Sequence, residues 1–315
     1  MRRRNFLGVA GGAAILAASP QHGDIPVIDT HIHLFDTGRK EGVPWPAKDN
    51  QVLYRPALPD RYQALSGPLG VVGAIEVECS PWVEDNQWVL DVAARAPVIV
   101  GTVGNLEPGT AEFGRQLERF HRNPLFRGIR YGNLWGRNFA VDSAKARVLA
   151  DLKLVAQADL VMDTANPDPA LIETVVRLTD RIPELRVVVD HLPQCTPPAD
   201  GAALAAYRAN LLELAKRPQV YVKLSSVLRR VSGEVPQDLS FYRPRLDELY
   251  GIFGEDRVVY GSDWPNSDNW GPYGKVFDLV REYFQGKTRA QAEKYFWKNS
   301  AAAYRWVKRD AKQPG

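Results

Sequence analysis

Two of the five histidines of this chain, His31 and His33, close one short apolar run, Val27-Ile28-Asp29-Thr30-His31-Ile32-His33. Side chains alternate faces along a strand, so residues two apart project to the same side, one pitch from each other. Two imidazoles placed in this way can hold one divalent ion. Two later runs end in groups of the same chemistry, Asp190-His191 and Gly261-Ser262-Asp263. Three neutral imidazoles and a carboxylate suit zinc or a similar borderline cation and leave one position open for water or substrate. Such an ion is a Lewis acid, and Asp263 could take the proton of an attacking water. His191 alone would read as a hydrogen-bonded loop histidine, and Asp263 alone as the N-cap of the next helix. The joint pattern argues for a site built from His31, His33, His191 and Asp263.

Such a site needs a frame that brings three strand ends to one rim. Short apolar, β-branched runs recur at residues 27–33, 71–79, 98–103, 126–130, 160–164, 187–191, 220–225 and 258–263, with helix-period stretches between them at 86–96, 111–122, 144–158, 169–181, 202–216 and 244–253. Eight such units predict a (β/α)8 TIM barrel, an α/β fold whose chemistry sits at the C-terminal ends of the strands. The rival, an open doubly wound sheet, would usually show a Gly-rich phosphate turn after its first strand, and this chain has none. Two more helical segments, 275–284 and 289–307, are expected to close the C-terminus, and 24–315 reads as one domain. Counting alternation back from the strand ends puts the three histidines and Asp263 inside the barrel, with Ile28, Val188 and Tyr260 facing the helices.

Other strand-end groups are candidates to hold substrate. Arg130 ends the fourth strand, and Lys223 and Ser225 share one face of the seventh. Fixed cations there could bind a substrate carboxylate or a developing oxyanion, or else pair structurally within the rim. Glu78 ends the second strand on the alternation face of Glu76, as a further metal ligand or a hydrogen-bond partner.

With 45% hydrophobic and 24% charged residues, the composition is that of a soluble globular protein with one large core. Residues 1–19 join Arg2-Arg3-Arg4 to a short Gly/Ala-rich apolar stretch, the pattern of an export signal, and Arg3-Arg4-Asn5-Phe6-Leu7 resembles the twin-arginine type. The expected location is the periplasm. Removing that segment takes away three arginines and no acid, which leaves 37 basic against 37 acidic residues. Net charge then offers no patch for nucleic acid and no polybasic membrane anchor. The expected partner is a small-molecule substrate. Cys79 and Cys195 are expected on opposite sides of the barrel as free thiols.

The motifs Ile28-Asp29-Thr30-His31-Ile32-His33, Val189-Asp190-His191 and Tyr260-Gly261-Ser262-Asp263-Trp264-Pro265 resemble the amidohydrolase superfamily. More narrowly, they are similar to its amidohydrolase-related branch, which contains sugar lactonases and 2-pyrone-4,6-dicarboxylate lactonase. The likeness runs from about Asp24 to Tyr304, through Gly128-Ile129-Arg130, Lys223-Leu224-Ser225 and Asn299-Ser300-Ala301-Ala302. Many amidohydrolases hold a second metal with a carboxylated lysine on strand four and a histidine on strand five; here those strands end in Arg130 and in Asp163-Thr164. The resemblance therefore implies at most one divalent ion, zinc or manganese, since some members of the branch bind one metal and some none. It implies a hydrolase that opens a lactone, with Asp263 and His191 catalytic and with the histidines binding metal or hydrogen-bonding the oxyanion. A decarboxylase of the same branch and a catalytically retired binding protein are the alternatives. Trp45, Trp82, Trp135, Trp264 and Trp270 fall in loops after strands, where flat rings suit the face of a lactone or pyrone; Trp264 is the one placed among the substrate-binding candidates.

Overall fold

The apolar runs fold as eight parallel strands whose neighbours follow chain order. In the computed structural model, which describes residues 24–315, they are β1 (Val27–Ile32), β2 (Val71–Val77), β3 (Ile99–Gly104), β4 (Phe126–Arg130), β5 (Val161–Asp163), β6 (Arg186–Val189), β7 (Val220–Lys223) and β8 (Val258–Val259). Past Val259 the chain continues alongside β1. Thr30 N–H donates to the Tyr260 carbonyl at 3.1 Å, Asp263 N–H to that of His31 at 2.8 Å, and His33 N–H to that of Trp264 at 2.7 Å. These bonds join the last strand to the first, so the fold is the expected (β/α)8 barrel. The segment expected to be an export signal, residues 1–19, lies outside the described residues. Among the described residues no helix is long and apolar enough to cross a membrane, and Cys79 and Cys195 are free and buried.

Helices α1 (Pro59–Ser66), α2 (Asp85–Arg95), α3 (Phe113–His121), α4 (Phe139–Asp142), α5 (Ala146–Gln157), α6 (Pro169–Arg181), α7 (Gly201–Ala215) and α8 (Leu239–Phe253) connect the strands. The start of α6 shows how local chemistry sets a boundary. The Asp168 side chain accepts the Leu171 N–H, and Pro169 occupies the first turn, where no donor is needed. The start of α8 differs from expectation: Pro244 lies inside the helix rather than at its head. Leu239 and Tyr242, both buried upstream of that proline, extend the helix against the cost of the missing donor. The 289–307 segment is helical as expected from Arg289 to Tyr304, running without a break through α10 (Arg289–Glu293), a π-helical turn (Lys294–Lys298) and α11 (Asn299–Tyr304), and is preceded by α9 (Tyr273–Gln285). It stops at Arg305, which takes a left-handed conformation with φ 50°.

Side chains pack in two layers. The larger one lies between the strands and the helices; the smaller holds Ile28, Ile75, Val100, Val161, Val188, Tyr221 and Val259, with Ala303 and Tyr304 beneath them. A cluster drawing on seven strands and on no helix between strands is the barrel interior, and α11 is its floor. Ile28 and Val188 therefore point inward, against the alternation count, whereas Tyr260 does face the helices, packed on Phe277 and Phe296. The count fails because its phase slips just before the site. The β1 to β2 register shifts between Asp29 and Ile32, and His191 turns left-handed at φ 46°. Each slip brings one extra polar residue to the rim.

Candidate active site

The rim gathers three buried imidazoles around one carboxylate oxygen. Oδ1 of Asp263 lies 3.3 Å from His33 Nε2, 3.5 Å from His191 Nε2 and 3.8 Å from His31 Nε2. His33 Nδ1 donates to the Val77 carbonyl at 2.7 Å, so in the neutral ring Nε2 carries the lone pair. His191 Nδ1 meets Ser225 Oγ at 2.8 Å. A lone pair facing a carboxylate at this range is repulsive unless a cation or a proton lies between them. The arrangement therefore fits a divalent ion in donor type and convergence, and His31, His33 and Asp263 form a group able to hold one.

The other oxygen of Asp263 is anchored. Oδ2 accepts from Ser226 Oγ at 2.9 Å and from Asn266 Nδ2 at 2.9 Å, and Gln194 donates in turn to Ser226. Burial alone would raise the Asp263 pKa, but the protonated forms of His191 and then of His33 and His31 draw it below the usual carboxylate range, and Ser226 and Asn266 hydrogen-bond its ionised form. Burial pushes His31 and His191 the other way, toward the neutral form. His191, Ser226 and Asp263 all take left-handed backbone conformations, with φ of 46°, 49° and 63°. Such conformations in residues other than glycine cost about 1 kcal/mol or more each and persist where the surroundings fix them.

Beneath the histidines lies a layer of buried charge. Arg130 Nε donates to Asp190 Oδ2 at 2.9 Å, and its Nη1 reaches the Glu78 carbonyl at 3.4 Å. Lys223 Nζ lies 2.6 Å from Asp163 Oδ2, 2.9 Å from Asp190 Oδ1 and 3.0 Å from His31 Nδ1. Tyr304 of the barrel floor donates to Asp163 from below. At the β1 to β8 seam, Asp29 Oδ1 accepts the backbone N–H groups of His31 at 3.2 Å and Ser262 at 2.8 Å, and its Oδ2 accepts the hydroxyls of Tyr62 and Tyr273. One buried carboxylate thus ties two of the site's strands together.

Above the histidines opens a cavity of about 190 Å³, with His33, His191 and Asp263 at its base, Arg130 at its side and Trp45 and Trp135 in its walls. Not every candidate from the sequence reaches it. Lys223 is fully buried and occupied by its ion pairs, and Ser225 is engaged by His191. The Glu78 carboxylate accepts from Trp135 Nε1 at 3.1 Å and from Ser80 N–H at 3.0 Å, and lines a neighbouring crevice. Trp264 is fully buried against Tyr62, with the Arg61 guanidinium over its ring. Of the other loop tryptophans, Trp82 is exposed and Trp270 packs against the core. Sequence reasoning missed Asn166, Gln194 and Asn266, whose amides line the cavity mouth. An Asn or Gln in a loop carries no signal that separates this use from an ordinary turn.

A parallel eight-stranded barrel with imidazoles from β1 and β6 and a carboxylate from β8 at its C-terminal rim defines a (β/α)8-barrel enzyme. The amidohydrolase family model matches residues 28–306, and the chain belongs to that family. An L-fucono-1,5-lactonase of Burkholderia ambifaria is 29% identical over 253 residues, 78% of this chain and 83% of that protein. An L-fucono-1,5-lactonase of Burkholderia multivorans is 28% identical over 289 residues, 87% of this chain and 94% of that protein. Among solved structures, an amidohydrolase from Burkholderia multivorans with bound zinc superimposes with a TM-score of 0.76 at 24% identity, over 89% of this chain and 99% of that one.

Proposed function

We propose that the protein opens a neutral sugar 1,5-lactone to its hydroxy acid by attack of water on the lactone carbonyl. The observation that carries this reading is the charge of the cavity. Arg130 is the one cation among its lining residues, and it is committed to Asp190, while Trp45 and Trp135 offer flat walls and three amides offer hydrogen bonds. A ring bearing hydroxyls suits such a surface; a ring bearing carboxylates finds no uncommitted cation and meets Asp263 below. The relatives named as L-fucono-1,5-lactonases support the same class. Decarboxylation needs a substrate carboxylate to be held, which the same charge balance disfavours.

In this reading Asp263, ionised at neutral pH, takes a proton from the attacking water, and its anchors Ser226 and Asn266 keep Oδ1 aimed into the cavity. The rim imidazoles face the oxygen on which negative charge develops. Where no ion is bound, His191, kept toward the neutral form by burial, can take that proton from Asp263 through Nε2 and pass it to the departing ring oxygen. His31, His33 and Asp263, with His191 beside them, would hold one zinc or manganese ion, which when bound would polarise the carbonyl or lower the pKa of water. The zinc in the Burkholderia multivorans structure supports that choice. A second ion is not expected, because Arg130 and Asp163 end β4 and β5 in ion pairs of their own.

Two lactones that share a ring and differ only in carrying a neutral or a carboxylate exocyclic group test the proposal. The neutral one should show kcat/KM higher by about 10-fold or more. Equal or faster opening of the carboxylate would contradict it.

A further inference from the structure

Trp135 is held unlike the other tryptophans of the strand-end loops. Trp45 meets His33 and Phe35 edge-on and packs against the core, Trp270 packs there too, Trp264 is buried and Trp82 is exposed. Trp135 is half-buried in the cavity wall, yet among the described residues its ring meets no aromatic ring and no cation, and it belongs to neither hydrophobic layer. What fixes the indole is its nitrogen. Nε1 donates to Glu78 Oε2 at 3.1 Å, with Oε1 at 3.4 Å, and Glu78 is itself set by the Ser80 N–H at 3.0 Å. The turn beneath the ring is fixed as well. Pairing of β4 with β5 runs on past the strands, from Asn133 N–H to the Ala165 carbonyl at 3.0 Å. Gly132 permits that approach, since a Cβ there would lie 2.4 Å from the Ala165 nitrogen. The Asn133 and Asn166 amides then donate to each other's backbone carbonyls at 3.4 and 2.8 Å, and Arg137 donates to Asn105 Oδ1 at 2.9 Å. Trp135 sits between these anchors at φ 57°, which is uncommon for a bulky residue.

We infer that Trp135 is the platform on which the lactone ring stacks, and that Glu78 is a positioning residue that fixes the plane of this platform through the indole N–H. A saturated sugar ring presents C–H groups on its face, and these suit the electron-rich face of an indole. An indole already fixed in place, with no other ring against it, receives such a face without the cost of ordering a mobile side chain. The Glu78 carboxylate is taken up by Trp135 and Ser80, which makes it neither a metal ligand nor a contact to substrate. The platform role rests on the lactonase reading; the hydrogen bond that fixes the indole does not.

The test compares variants of the whole protein on L-fucono-1,5-lactone. Glu78→Leu keeps the bulk of the side chain and removes the acceptor, whereas Glu78→Gln keeps an amide oxygen for the indole N–H. Trp135→Ala and Glu78→Leu should each raise KM by about 10-fold or more while kcat falls by no more than about 3-fold. Glu78→Gln should show about a third of that rise or less. Added to Trp135→Ala, Glu78→Leu should change KM no further, because the group it positions is gone. Losses that multiply in the double variant would show that Glu78 acts through something other than Trp135 and would overturn its positioning role. An unchanged KM in Trp135→Ala would overturn the platform. If Glu78→Leu does not fold, Trp135→Phe takes its place: a flat ring without an N–H should raise KM by about 3-fold or more, and wild-type KM there would count against the pin. If no lactone is opened, the lactonase reading fails and the platform with it, while the hydrogen bond is still decided by the ¹H–¹⁵N signal of the Trp135 indole, assigned through Trp135→Phe. That signal should move upfield in Glu78→Leu and less in Glu78→Gln, and an unmoved signal in Glu78→Leu would overturn the pin.

Discussion

Asp263→Asn is expected to lower kcat by about 10²-fold or more while the barrel stays folded. The amide has the same shape, and its oxygen can accept from Ser226 and Asn266 as Oδ2 does now. Its NH2 would then face the lone pair of His33, turning a repulsive contact into a hydrogen bond. Nothing in the packing is lost. The missing function is proton acceptance at neutral pH, so the loss falls on the chemical step, and KM should change little if metal content is unchanged. Steady-state kinetics beside a thermal melt check this. A folded Asn variant with near wild-type turnover would remove Asp263 from the mechanism.

Asp29→Ala is expected to cost stability and activity together. Asp29 is fully buried and accepts from two backbone N–H groups and two tyrosine hydroxyls across the β1 to β8 seam. Alanine leaves four donors without acceptors where water does not reach, a loss on the order of 3–5 kcal/mol. For a chain of this size that lowers Tm by about 5–10 °C. His31 and Ser262 also lose the anchor that sets their backbones, so turnover should fall even well below the melting temperature. Asp29→Asn, which still accepts through one oxygen, should lose roughly half as much. A melt of the Ala variant within about 2 °C of wild type would show that the seam does not depend on this carboxylate.

The barrel and the metal-competent rim were legible because both rest on residue type. Eight β-branched runs announce eight strands, and three of them end in His31 with His33, in His191 and in Asp263. What was not legible depends on backbone conformation or on tertiary pairing. The left-handed turn at His191 and the register shift near Thr30 reverse the phase of Val188 and Ile28, and neither is marked by a glycine. Pro244 read as a helix start because its own propensity says so; burial of Leu239 and Tyr242 overrode it. Helix α1, eight residues long, had no counterpart in the periodic pattern. Lys223 looked like a substrate cation, since a lysine at a strand end gives no sign that Asp163, two strands away, will occupy it.

The claim on which the account turns is that water adds to the lactone carbonyl. Opening L-fucono-1,5-lactone in H2¹⁸O with the purified protein, followed by mass spectrometry of the product, tests it directly. The account predicts enzyme-dependent opening above the spontaneous rate, one ¹⁸O in the carboxylate, none in the ring-derived hydroxyl and no release of carbon dioxide. Label in the hydroxyl, or no acceleration with any neutral 1,5-lactone, would contradict it.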